Sequence, residues 1–204
     1  MLFRSVGAYK ISAVLALSVG VTEVVRIASK HSDKPLIYDH QKAGTDIPET
    51  GQAFAAMLKQ SGISALIIFP LAGPATQTAW TNFAKEVDLP VIVGARMTHE
   101  NFLLSEGGYI DDSAVDTIFE RAAHAGVTDF VVPGNKPEVF SRVRRFLSPF
   151  GIDPVFYAPG FIAQGGVISE AAKVAGPRWH AIVGRAIYDA KDILQATLEV
   201  ASAL

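Results

Sequence analysis

"LIYDHQKAGTDIPETGQAFAAMLKQSGISALIIF", residues Leu36 to Phe69, holds the pattern that decides the fold. An apolar run closed by an acid, Pro35–Asp39, leads into a charged loop bearing glycine and proline. An amphipathic stretch follows at Gly51–Ser61, then a second apolar run at Ala65–Phe69. Strand, loop, helix, strand is the repeating unit of a parallel sheet, because two parallel strands need a crossover between them. Both runs are apolar at consecutive positions rather than at alternate ones, as strands covered on both faces are.

The same rhythm continues outward in both directions. Further strand-like runs are Val6–Ser12, Val91–Gly94, Asp129–Val132, Pro154–Tyr157 and Ala181–Gly184. Helix-like stretches are Val21–Lys30, Pro74–Val87, Ser113–Ala125, Lys136–Ser148, Ile168–Val174 and Asp192–Ser202. In Asp111-Asp112-Ser113 the helix cap is expected at Ser113 or Asp112. Nearly every strand is followed by a polar residue, a proline or a glycine: Asp39, Pro70, Arg96, Pro133, Pro159 and Arg185. That is the end at which β/α barrels carry their sites. The pattern predicts one domain over residues 1–204, an α/β fold of the (β/α)8 TIM-barrel type. About seven βα units are visible, so the barrel is expected to be incomplete at its N-terminal end.

Composition narrows the function. The chain has 204 residues, half of them hydrophobic, which is enough for one sizeable core. A net charge of −2 leaves no basic footprint, so no nucleic-acid partner is expected. Cysteine is absent, which excludes disulfides and thiolate metal sites and fits a reducing, cytoplasmic setting. The apolar stretch Ile11 to Val25 is interrupted by Ser12, Ser18, Gly20, Thr22 and Glu23 and falls short of the ~20 apolar residues of a spanning helix, so no membrane partner is expected. His40 and His99 follow different strands, and no His-x-His or His-x-x-x-His spacing accompanies them, so no metal site is expected. His31, His124 and His180 read as helix-end or loop residues.

Three segments, taken together, resemble the orotidine 5′-monophosphate decarboxylase family: "DHQKAGTDIPET" from Asp39, "YAPGFIAQGG" from Tyr157 and "IVGRAIYDA" from Ile182. They are similar to that family's D-x-K-x-x-D-I-P-x-T signature, its A-P-G-x-x-A-Q-G-G loop and its V-G-R-x-I-Y ending. The first departs in spacing. Lys42 lies three residues after Asp39 and Asp46 four after Lys42, one extra residue in each interval. The Asp on the family's first strand has no counterpart here.

The resemblance implies a (β/α)8 barrel that decarboxylates orotidine 5′-monophosphate to UMP without a cofactor, in pyrimidine biosynthesis. It also implies a homodimer with shared active sites. It places Lys10, Asp39 and Lys42 on the family's catalytic lysine and acid positions. Asp46 and Thr50 fall on residues that reach into the neighbouring subunit's site. Thr98 stands where a serine contacts the pyrimidine, and Pro159, Gln164, Gly165, Gly184 and Arg185 fall around the base and phosphate.

The chemistry fits those residue types. Loss of CO2 leaves a carbanion at C6 with no electron sink, so charge must be in place before the reaction. Lys42 is the expected proton donor, flanked by Asp39 and Asp46, with Lys10 as tether. Glycines at 165 and 166 allow backbone N–H groups close to a phosphate, and Arg185 can grip it with two donors. Two rival readings carry different chemistry: a sugar-phosphate decarboxylase or aldolase of the same barrel group, and a non-catalytic phosphate-ligand binder.

Overall fold

Seven short strands run in chain order, and each neighbouring pair is parallel: β1 (Tyr9–Ser12), β2 (Leu36–Asp39), β3 (Ala65–Ile68), β4 (Val91–Gly94), β5 (Asp129–Val131), β6 (Val155–Pro159) and β7 (Trp179–Ile182). They are seen in a computed structural model that describes residues 6–40, 46–162 and 167–204. The helices between them are α1 (Ala13–Val19), α2 (Val21–Ala28), α3 (Thr50–Gln60), α4 (Pro74–Glu86), α5 (Asp112–His124), α6 (Glu138–Leu147), α7 (Ile168–Ala175), α8 (Arg185–Tyr188) and α9 (Ile193–Ser202).

Strand alternation sorts the side chains into two layers. Ile37, Ile67, Phe69, Ile92 and Val131 meet inside the barrel. The residues between them, such as Tyr38, Leu66, Val93 and Phe130, face outward and pack on Leu58, Trp80, Phe119 and Phe140 of the helices. Gly94 is needed inside: a Cβ there would lie 2.1 Å from the Phe69 ring. Local chemistry sets the helix ends. Ser12 accepts from the Leu15 N–H, Pro74 opens α4, and Asp192 accepts from the Gln195 N–H.

The architecture is the expected parallel barrel, with seven strands among the described residues. No ladder joins β1 to β7 there, so the barrel is nearly closed. A cavity of about 850 Å³ spans that opening, lined by Lys10, Tyr157, His180, Ile182, Val200 and Leu204 among others.

Five local expectations are corrected. The last strand begins at Trp179 rather than Ala181, because Trp179 pairs with Phe156 and packs edge-on against Phe140. His180 therefore lies in a strand, with its ring 4.8 Å from that of Tyr157. Val183 and Gly184 fall outside the strand, and Gly184 caps α8 instead. The cap of α5 is Asp111, whose carboxylate accepts from the Ser113 N–H. A further helix, α1, precedes α2, and Gly20 with φ of 89° breaks the two apart.

Candidate active site

The register of β1 against β2 sets Lys10 beside Ile37 and Ser12 beside Asp39, all on the inward face. From there the Lys10 Nζ donates to Asp39 Oδ2 at 2.5 Å. The Asp39 side chain is almost fully buried, at 2% exposure, and that of Lys10 keeps 25%. Lys10 is therefore no solvent-facing strand-end lysine. A buried carboxylate held by an ammonium is fixed charge at the mouth of the barrel, which is what electrostatic preorganisation requires.

The rest of the rim is built by the loops that follow the strands. Thr98 is half-buried beyond β4, and its carbonyl accepts from Asn135 Nδ2 at 3.1 Å. Pro159 ends β6, and its carbonyl accepts from the Gly134 N–H at 2.7 Å. Gly134 lies so close to the buried Phe161 ring that a Cβ would stand 2.4 Å from it. Gly184 caps α8, and Arg185, the first residue of that helix, is exposed. Arg185 makes no ion pair with Asp189 or with any other described carboxylate. Asp46 is exposed and Thr50 half-buried at the start of α3. Lys42, Gln164, Gly165 and Gly166 lie outside the described residues. The structure thus joins Lys10 directly to Asp39 and places Thr98, Pro159, Gly184 and Arg185 at the same end of the strands.

The 850 Å³ cavity is a different place. It takes in Lys10 but none of Asp39, Thr98, Pro159, Gly184 or Arg185. It follows the opening between β1 and β7 and the amino ends of the strands, so it does not mark the rim. No group of three or more potential ligands for a metal is found among the described residues.

Two clusters at the rim escaped the sequence. The first ties the loops after β4 and β5 together. Glu106 Oε1 accepts from Arg96 Nη2 at 2.8 Å and from Lys136 Nζ at 3.0 Å. Donation from Lys136 and then Arg96 pulls the Glu106 pKa down from 4.5 to about 2. A carboxylate with a lowered folded-state pKa stabilises the fold above its unfolded value and loses that contribution as pH falls. Glu106→Gln is expected to cost about 1.5–3 kcal/mol at neutral pH, the range for a hydrogen bond to a charged group. In urea titrations, the gap between wild type and variant should narrow as pH drops from 4.5 towards about 2. A gap that does not change with pH would remove the ion pairs as its cause. Only Arg96 had drawn attention beforehand, as a polar residue after a strand.

The second cluster is aromatic. His40 continues β2 outward, with its ring 4.6 Å from Phe54 and 5.7 Å from Trp80. Burial there lowers the His40 pKa, against the opposing pull of the Asp39 charge.

A chain with this rim invites comparison with known proteins. The model of the orotidine 5′-phosphate decarboxylase / HUMPS family matches residues 2–200. The chain belongs to that family. Among curated relatives, the orotidine 5′-phosphate decarboxylase of Methanosarcina barkeri is 29% identical over 197 residues, covering 97% of this chain and 82% of the relative. The crystal structure of the Methanocaldococcus jannaschii decarboxylase complexed with the inhibitor BMP superposes with a TM-score of 0.83 at 25% identity, over 100% of this chain and 90% of that one. The Pyrococcus horikoshii enzyme gives 0.79 at 26% identity, over 99% and 88%. As a TIM-type barrel of this family, the chain carries the Lys10–Asp39 pair at the carboxyl end of its first two strands.

Proposed function

We propose that the protein decarboxylates orotidine 5′-monophosphate to UMP, without a cofactor, in pyrimidine biosynthesis. The observation that carries this reading is the Lys10–Asp39 ion pair, buried at the end of β2 in a chain of the decarboxylase family. The curated relatives of that name and the inhibitor-bound structural neighbour support it.

Asp39 is fixed by Lys10 and cannot swing to meet its own counter-charge elsewhere. It presents negative charge where the substrate carboxylate departs. Lys42, three residues on, supplies the ammonium that stabilises the C6 carbanion and then protonates it. Asp46 completes the alternation from a neighbouring subunit. Electrostatic stabilisation of this kind is worth most where the charges are already oriented. At the other end of the substrate Arg185 holds the phosphate, with Gly165, Gly184 and Gln164 around it, while Thr98 and Pro159 border the base. Binding energy from the phosphate can then serve the reacting carbon.

The site we propose is shared within a homodimer, and the whole of residues 1–204 works as one barrel domain. The exposure of Asp46 supports this, as do Ile47 at 58% and, on α1, Val14 at 76% and Leu17 at 86%. Exposed apolar side chains, with Val14 and Leu17 three residues apart on one helix, suit an interface between copies. A cytoplasmic location accords with a phosphorylated metabolite as substrate. Among the described residues no helix is long and apolar enough to cross a membrane.

Calorimetric titration with UMP tests the phosphate assignment. Arg185→Ala is expected to weaken binding by about 2–4 kcal/mol, or roughly 30- to 1,000-fold, because it leaves a bound anion without its partner. Unchanged affinity would refute the role of Arg185. Turnover of a sugar phosphate that a chelator abolishes would instead favour a metal-dependent enzyme of the same barrel group.

A further inference from the structure

Trp80 of α4 is 3% exposed and lies against the start of α3. Its indole rests on the backbone at Gly51, where a Cβ would stand 2.6 Å from the Trp80 Cδ1. It stacks on His40 at 5.7 Å and 26° and tilts against Phe54 at 4.8 Å. Packing alone would account for a buried tryptophan at such a place. A buried indole N–H takes an acceptor as a rule, and the one chosen here is informative.

The Trp80 Nε1–H donates to the carbonyl of Ile47 at 3.1 Å. That carbonyl also accepts from the Thr50 hydroxyl at 2.8 Å and from the Thr50 N–H at 3.3 Å. On the other side of the same residue, the Ile47 N–H donates to Asp46 Oδ1 at 2.8 Å. Asp46 and Thr50, the two residues proposed to serve the neighbouring subunit, are therefore both bonded to Ile47. Ile47 itself is 58% exposed. The indole is the group that reaches this turn from another helix and fixes it.

We infer that Trp80 is a positioning residue for the shared site: through the Ile47 carbonyl it orients Asp46 and Thr50, and so serves the reaction on the partner subunit. This rests on the shared-site reading above. Trp80→Phe keeps a ring against Gly51 and His40 and removes the donor. It is expected to lower kcat/KM for orotidine 5′-monophosphate about 10- to 100-fold, the size of loss that a misplacement of about 1 Å produces.

Chains of two kinds, co-purified as mixed dimers, separate this from a merely structural role. In a dimer of one Trp80→Phe chain and one Lys42→Ala chain, one site combines an intact Lys42 with the intact Trp80, Asp46 and Thr50 of the other chain. An equal mixture should recover about a quarter of wild-type activity, the share set by random pairing in a symmetric dimer. The pair Lys42→Ala with Asp46→Ala is the control. If the control recovers and the Trp80→Phe mixture stays at the level of its parents, Trp80 acts within its own chain and the inference is overturned. If the control does not recover, the shared site itself is wrong and the inference falls with it. A fully active Trp80→Phe homodimer also overturns it. Should Trp80→Phe not fold, the mixture made with Gly51→Ala decides by the same outcomes, since that Cβ displaces the indole.

Discussion

Lys42→Ala is expected to abolish turnover of orotidine 5′-monophosphate while UMP still binds within about tenfold, a change of ~1.4 kcal/mol. The asymmetry follows from when each charge is needed. UMP carries the phosphate and ribose, the parts proposed to meet Arg185 and the neighbouring loops, but no departing carboxylate and no carbanion. In the proposed role the ammonium of Lys42 meets its strongest partner only as CO2 leaves C6, so its loss falls on the transition state and not on the ground state. Protonation of C6 is expected to fail as well, because the same group is the proposed proton donor. The decay of substrate absorbance gives the rate, and calorimetry gives the affinity for UMP. A variant that turns over at the wild-type rate would remove Lys42 from this role. One that loses UMP binding by far more than tenfold would make it a ligand-binding residue instead.

Asp39→Asn carries the second large effect, and it acts on stability as well as on rate. The side chain of Asp39 is 2% exposed, and it accepts from the Lys10 ammonium at 2.5 Å. An amide of the same shape leaves that ammonium facing the barrel interior without its counter-charge. Breaking a buried pair in this way costs 3–5 kcal/mol in general. Lys10 keeps a quarter of its surface, so the lower end, about 3 kcal/mol, is expected here. The double variant Lys10→Met with Asp39→Asn removes both charges and should regain most of the lost stability, because no ion is left buried. It should regain none of the activity. Urea unfolding of the two variants beside wild type measures the first effect, and substrate turnover the second. Equal stability of Asp39→Asn and wild type would mean that the pair is solvated and not preorganised.

How much of this could be read from the sequence differs by element. The interior strands are plain, because β2, β3 and β4 are short, mostly apolar runs bounded by turns and buried on both faces. The last strand was misplaced by two residues because Trp179 and His180 interrupt the apolar run, although both belong to the ladder with β6. Helix α1 was invisible for another reason. It follows β1 with Ser12 as its only punctuation, and its apolar Val14 and Leu17 point outward, so no amphipathic stripe marks it.

The site divides in the same way. The acid that ends β2 and the lysine on β1 are local signals, and the strand register was enough to bring them together. Glu106 finds Lys136 across 30 residues, and Trp80 finds Ile47 across 33. Such contacts depend on how two loops or two helices meet after folding. No period or spacing in the chain announces them.

The central claim is that charge fixed at the mouth of this barrel performs a decarboxylation with nothing else bound. Purified protein incubated with orotidine 5′-monophosphate, with and without a chelator, tests it most directly. Loss of substrate absorbance and formation of UMP, at a rate the chelator does not change, are the expected result. A folded protein that binds UMP and leaves orotidine 5′-monophosphate untouched would contradict it.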